Sequence, residues 1–305
     1  MQRPLPPEVP WYLERDAMSK QVVLVVDLDN TLYDFAAYFS PSFRAMVHVL
    51  SPRLEISETD LTIQFAKVFE QRGSLEYQFA VQELDCVREL PESVVVQLVH
   101  LASVAFGRTR RRRLRLYPHV RETLKWASEA NVKICAVTNA PLYQAYRRIR
   151  DLGILKFFNA ISSRDGTHIP ESLGDFVRKR DSAMEILARK MDRVATHSHS
   201  VLKPHDNLFL SVIDQWKTVD HTYYAVGDSI VNDLVPAHFL GMKTIWARYG
   251  TVIDPKDLQT MIAATPIRNR PADSEMVRTF VPDCVIDDFG ELLKLLPVPR
   301  QLPLL

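Results

Sequence analysis

Residues Val22 to Tyr33 read Val-Val-Leu-Val-Val-Asp-Leu-Asp-Asn-Thr-Leu-Tyr, an unbroken apolar run that ends in two carboxylates and a hydroxyl. A short run with no polar alternation is the pattern of a strand buried on both faces, and such strands occur in parallel sheets. Parallel neighbours need long crossovers, usually helical, so this one segment points to an α/β protein. Side chains alternate along an extended segment, which puts Asp27 and Asp29 on one side and Leu28 on the other. Two carboxylates this close repel each other unless a proton or a divalent cation lies between them. The C-terminal end of a parallel strand is also where open α/β sheets place their chemistry.

The periodicity turns helical after this strand. Phe35 to Leu50 is one apolar-periodic run, closed by Ser51-Pro52. Ser57 followed by Asp60 has the form of a capping box and opens a helix through Leu61, Phe65 and Phe69, which Gly73-Ser74 breaks. Leu75 to Leu90 is expected as a third helix. Pro91 starts a fourth, with Val95, Leu98, Val99, Ala102 and Phe106 on one face. An all-helical cap is therefore expected at residues 36–114.

Beyond it, strands and helices alternate. Helices are expected over His119–Ala130, Pro141–Leu152, Asp175–Met191, Leu208–Gln215, Val231–Leu240, from Asp254-Pro255 to about Ala264, and over Phe289–Leu296. Strands are expected over Val132–Val137, Phe157–Ile161, Tyr223–Val226, Lys243–Trp246 and Val285-Ile286. That rhythm predicts a Rossmann-like parallel sheet covered on both faces, built from residues 21–35 and 115–305. Residues 1–20 form a Pro-rich tail, read as inert or as a ligand for a proline-binding module. Thr265 to Glu275 reads as a surface loop.

Composition mainly excludes. The formal net charge of the 305 residues is +1, which makes no general case for nucleic acid or an anionic membrane. No apolar run reaches the ~20 residues of a membrane span. The N-terminus has no apolar core of a secretory signal, so a cytoplasmic location is expected. Cys86, Cys135 and Cys284 lie far apart and read as reduced thiols.

Four short segments carry the chemistry. The first is Asp27-Leu-Asp29-Asn-Thr31, and the second is Thr138-Asn139, directly after an expected strand. The third is Lys203-Pro204, for which no preceding strand is evident. The fourth is Gly227-Asp228-Ser229-Ile-Val-Asn232-Asp233, after the strand ending at Val226. Three of the four follow an apolar strand and should share one sheet edge. The set suits phosphoryl transfer, because a carboxylate can attack phosphorus when a cation and donors neutralise the equatorial oxygens. Asp27, Asp228 and Asp233 are oxygen ligands of the hard type that Mg²⁺ takes. Lys203 adds a positive charge, Thr138 a hydroxyl donor, and Gly227 lets the backbone approach closely. Thr31 and Asn139 are further phosphate-binding candidates.

This ordered set resembles the haloacid dehalogenase superfamily, in its phosphatase branch with a helical cap between the first and second motifs. The resemblance runs from Gln21 to Leu296. It implies a Mg²⁺-dependent hydrolase acting on a small phosphorylated metabolite. Asp27 would be the nucleophile that forms an aspartyl-phosphate, and Asp29 the general acid and then base. Thr138 would hold the phosphoryl oxygens, and Lys203 would steady Asp27 and the phosphate charge. Asp228 would bind Mg²⁺ with Asp27 and the Asp29 main-chain carbonyl, while Asp233 would hold metal waters or Lys203. The carbon–halogen branch lacks a carboxylate at the Asp29 position, so the resemblance favours phosphatase over dehalogenase. The words around Asp27 are also similar to those of pyrimidine 5′-nucleotidases. A phosphomutase and a non-catalytic binder with a relic site are the other readings.

The resemblance has one gap. The stretch from Thr138 to Lys203 is long and holds a polar insertion, Ser162 to Ser200. Lys190 is the alternative lysine, but it lies mid-helix and is not followed by proline. Arg108 to Arg115 is the densest charge in the chain and reads as a solvated helix end, a funnel for an anionic substrate, or an RNA contact. No aromatics interleave it, which argues against nucleic acid as a partner. His197, His199 and His205 read as loop histidines rather than a transition-metal site. Phe39, Phe43, Tyr77 and Phe79 read as cap core that one ring could leave to close over substrate. Oligomeric state is not legible.

Overall fold

The computed structural model describes residues 21–165, 174–198, 200–214, 221–265 and 279–298. The Pro-rich tail, His199, Gln215, residues 166–173 of the polar insertion and all but Thr265 of the expected surface loop lie outside these. Seven strands form one sheet among the described residues: β1 (Gln21–Val26), β2 (Lys133–Pro141), β3 (Ala160–Arg164), β4 (Arg193–His197), β5 (His221–Gly227), β6 (Lys243–Ala247) and β7 (Cys284–Ile286). Their order is β4-β3-β2-β1-β5-β6-β7, and every neighbouring pair is parallel. The chain steps outward from β1 to β4, then returns to the other side of β1 and steps outward again from β5. The crevice between β1 and β5 is thus the topological switch point, where open sheets of this kind bind ligands.

Three long helices stand between β1 and the rest of the sheet: α1 (Phe35–Leu54), α2 (Glu58–Arg72) and α3 (Glu92–Arg113). The remaining helices are α4 (Val120–Glu129), α5 (Leu142–Asp151), α6 (Gly174–Lys190), α7 (Asn207–Ile213), α8 (Val235–Phe239) and α9 (Pro255–Ala264), with a last short turn at Leu292–Leu295. The two-residue period of β1 sorts its side chains between two cores. Val22, Leu24 and Val26 pack with Leu124, Ala127, Ala145 and Ile149 of α4 and α5. Val23 and Val25 pack with Leu208, Phe209 and Val212 of α7 and Ala237 of α8. Burial of these faces is the main favourable term for the sheet.

The element pattern differs from expectation in several places. One is the helix expected over Val231–Leu240, which is a π-helical turn at Ile230–Leu234 followed by α8. Four others concern the inserted helices and the sheet. First, α1 runs past Ser51-Pro52 to Leu54, because Pro52 in the final turn forfeits only its own bond to the His48 carbonyl. The helix stops at Glu55, whose φ is +54°. Second, Leu75 to Leu90 is not a helix. It is a series of turns with one 3₁₀ turn at Ala80–Glu83, tied down by Arg72 and Tyr77, which both bond Glu83. Third, the strand expected at Phe157–Ile161 begins later, at Ala160, after a 3₁₀ turn at Leu155–Phe157. Fourth, a strand does precede Lys203: β4 lies on the sheet edge, so it lacks an apolar run. All three cysteines are free thiols, and no described helix is long and apolar enough to cross a membrane.

Candidate active site

Asp27 leaves the sheet between β1 and β5, its N–H still bonded to the Val226 carbonyl at 2.9 Å. Asn30 then adopts a left-handed φ of +58°, which a short amide side chain tolerates. Its N–H donates to the Tyr33 carbonyl at 2.8 Å, and its Oδ1 accepts from Phe35 N at 3.0 Å. The turn folds Thr31 back under Asp27. Thr31 Oγ1 donates to Asp27 Oδ2 at 3.3 Å and accepts from Asp228 N at 3.1 Å, so one hydroxyl joins the first and fourth segments.

On the far side of the crevice, β5 ends at Gly227. A Cβ there would strike the Asp233 side chain, so only glycine lets that carboxylate lie against the strand end. Asp233 Oδ2 accepts from Ser229 N at 3.0 Å. Its Oδ1 accepts from Lys203 Nζ at 2.6 Å. The same ammonium donates to Asp27 and to the Val137 carbonyl at 3.2 Å. Thr138 and Asn139 fall inside the end of β2 rather than directly after it, because the strand continues to Pro141 through a shift of the β2–β3 register between Val137 and Pro141. Thr138 is fully buried, and its Oγ1 accepts from Ala140 N at 3.1 Å. Asn139 Oδ1 accepts from Lys203 N at 2.7 Å, so this amide holds the lysine loop.

The result is a buried charge imbalance. Asp27, Asp228 and Asp233 each offer an oxygen within 4.8 Å of the others, against one ammonium. Burial pushes the Asp27 carboxyl up to about 7; Lys203 opposes this, while Asp233 and Asp29 add to it. Burial likewise holds Asp228 well above the usual carboxylate range, with Asp233 and Asp27 adding. Burial alone would lower Lys203, but Asp233 and Asp27 hold it above its ordinary range. An all-carboxylate donor set carrying excess negative charge fits a hard divalent cation such as Mg²⁺.

Asp29 stands apart from that cluster. Its Oδ1 lies 3.5 Å from Arg148 Nη1. Arg148, on α5, also donates to Glu76 Oε1 at 2.6 Å and to Tyr38 Oη at 2.5 Å, both in the helical insert. Its guanidinium faces the rings of Tyr33, Phe35 and Tyr38. Burial alone would lower the Arg148 pKa, but Asp29 and Glu76 hold it well above its ordinary value.

A family model for haloacid dehalogenase-like hydrolases matches residues 22–241. The chain belongs to that family. Among solved structures, it is similar to a 2-haloacid dehalogenase from Pseudomonas syringae pv. Tomato DC3000, at 17% identity and a TM-score of 0.54 over 91% of this chain and 98% of that one. It is also similar to a HAD phosphatase from Thermococcus onnurineus, at 19% identity and a TM-score of 0.51 over 92% of this chain and 100% of that one. At these identities the likeness is one of fold. No curated protein matches the sequence.

In this hydrolase, several supporting residues carry no motif. Trp246 Nε1 donates to the Asp228 carbonyl at 2.8 Å, and Tyr249 Oη donates to the Thr31 carbonyl at 2.6 Å. Gly250 passes so close to the Asn30 carbonyl that a Cβ would overlap it. Arg148 did leave a signal, because it shares the buried stripe of α5 with Ala145 and Ile149, and a charge on such a stripe needs partners. Of the arginine run, Arg111, Arg112 and Arg113 are exposed, while Arg110 is buried and pairs with Asp151 at 2.7 Å. His197 Nε2 bonds Ser162 and Ser211 at 3.1 and 3.2 Å, and the His197–His205 segment forms no metal-type cluster among the described residues.

Proposed function

We propose that this hydrolase is a Mg²⁺-dependent phosphatase that cleaves a small phosphomonoester through an aspartyl-phosphate on Asp27. The observation that carries the reading is the buried group of Asp27, Asp228, Asp233 and Lys203, with a second carboxylate, Asp29, just outside it. Asp27 attacks phosphorus, the bond to the leaving oxygen breaks, and Asp29 gives that oxygen its proton. Water then attacks the phosphoryl group, Asp29 takes the water's proton, and phosphate leaves with Asp27 restored. Thr138 and Lys203 face the developing charge. Asp27, Asp228 and the Asp29 carbonyl would be the direct metal ligands, while Asp233, which bonds Lys203 Nζ and Ser229 N, would hold Lys203. Bound Mg²⁺ would neutralise phosphoryl oxygens and carboxylates together. Residues 36–114 act as a cap over a core of 21–35 and 115–305, excluding water and selecting the leaving group. The presence of Asp29 supports phosphatase over dehalogenase chemistry.

The direct test is release of p-nitrophenol from p-nitrophenyl phosphate. Turnover is expected with Mg²⁺ and not with EDTA, and equal rates in both would overturn the metal assignment. Bound Mg²⁺ at a hundred times its dissociation constant should also raise the melting temperature by about 4 °C.

A second test uses pH. Asp27 titrates near 3.8 when free and about 7 in the fold. The fold therefore binds a proton that the unfolded chain has released, so stability present at low pH is lost as pH rises from about 4 to about 7. Asp228 shifts in the same direction. In EDTA, the melting temperature of the wild type minus that of Asp27→Asn should fall across this range. A flat difference would refute the raised pKa.

A further inference from the structure

From Ser93 to Arg121 the chain has seven arginines and no Asp or Glu. The other 31 of its 38 Lys and Arg stand against all 37 Asp and Glu, so this one stretch carries +7 and the remainder −6. The near-neutral total conceals a strong local field. Most of the stretch is α3. At about 100° per residue, Val94, Gln97, Val104, Arg108, Arg111 and Arg112 fall within an arc of about 100°, and all six are exposed. Leu98, Ala102 and Arg110 turn the other way, into the protein.

Two observations separate this stripe from an ordinary solvated face, which mixes both signs of charge and shows few apolar side chains. Val94 and Val104 are 38% and 50% exposed. Among the described residues, no carboxylate lies within salt-bridge distance of Arg108, Arg111, Arg112 or Arg113, whereas Arg110 is held by Asp151 at 2.7 Å. The helix dipole does not account for four unpaired cations, because a helix C-terminus carries only about half a negative charge. Arg115 already donates to the carbonyls of Arg111 and Leu114 there.

We infer that this face of α3 docks on a bilayer surface of anionic phospholipid, its arginines among the headgroup phosphates and its valines against the acyl boundary. The inference stands apart from the phosphatase reading. A protein partner would call for apolar anchors seated in a pocket, and two valines on a convex helix are poor ones. Single-stranded RNA would call for rings on which its bases stack, and the stripe has none. A fluid anionic surface requires neither, and the planar guanidinium binds phosphate bidentately. The 22 residues of α3 lay about 33 Å of helix along such a surface.

The test is sedimentation of the full chain with vesicles. It should bind vesicles of equal parts phosphatidylcholine and phosphatidylserine but not phosphatidylcholine alone, and raising salt from about 0.1 to about 0.5 M should release it. Arg108→Gln, Arg111→Gln and Arg112→Gln together should weaken binding about 100-fold, roughly fivefold per arginine, with the melting temperature unchanged. Should that variant melt early, Arg108→Glu alone decides, with a loss of about 25-fold for two units of charge. No binding of the wild type to the mixed vesicles overturns the inference, and so does binding that these variants leave unmoved. Tighter binding to a duplex RNA than to the vesicles also overturns it, and gives the arginines to nucleic acid instead.

Discussion

On the phosphatase reading proposed above, Asp27→Asn is expected to lower kcat/KM for phosphomonoesters by roughly 10⁴-fold or more, while the metal-free protein becomes no less stable. The two halves have one cause. Asp27 is buried beside Asp233 and within the field of Asp29, and burial has already pushed its carboxyl up to about 7. An ionised group there is held against its own preference, which a working nucleophile requires and a folded chain does not. Asparagine has the same shape and no charge, and its Oδ1 can still accept from Lys203. Lys203 keeps its bond to Asp233 at 2.6 Å, so no buried ion is stranded. By the energy equivalent of a pKa unit, the variant should gain on the order of 1–3 kcal/mol at pH 7 in EDTA. Wild-type rates with p-nitrophenyl phosphate would end the nucleophile assignment. A large loss of stability would show instead that Asp27 serves the fold.

What was legible in the sequence follows from how each residue is positioned. Asp27, Thr138 and Asp228 lie at the ends of β1, β2 and β5, the three central strands, whose burial on both faces writes an apolar run just ahead of the site. Lys203 follows β4, an edge strand whose residues are only partly covered, so its strand left no such run. The Leu75–Leu90 segment misled for a related reason. Tyr77, Phe79, Val81, Leu84 and Val87 are all buried, but as anchors of successive turns against α2 and α3, and helical spacing alone does not distinguish the two cases. Gly250 could not be found at all. What requires glycine there is the Asn30 carbonyl, far away in sequence and brought near only by the fold.

Arg148→Met is expected to be the most destabilising single change near the site, at about 3–5 kcal/mol by urea unfolding. The guanidinium is the cation that Glu76 and Asp29 share, at 2.6 and 3.5 Å. Burial already raises the Glu76 carboxyl, Arg148 opposes that shift, and Asp29 adds to it. Removing Arg148 leaves two facing carboxylates and frees the link between α5 and the helical insert. Adding Glu76→Gln should return most of the lost stability, because the pair is then replaced by neutral groups rather than broken. Activity should not return with it. Asp29 would still lack the cation 3.5 Å from its Oδ1, so kcat for an alkyl phosphate should stay roughly 10²-fold low, while p-nitrophenyl phosphate, whose leaving group needs little protonation, should lose far less. A double variant that recovers both stability and alkyl-phosphate turnover would make Arg148 a purely structural residue. Equal losses with both substrates would detach it from Asp29. The split between them is what a residue acting through Asp29 must produce on the reading proposed above, and a merely packed arginine would not produce it.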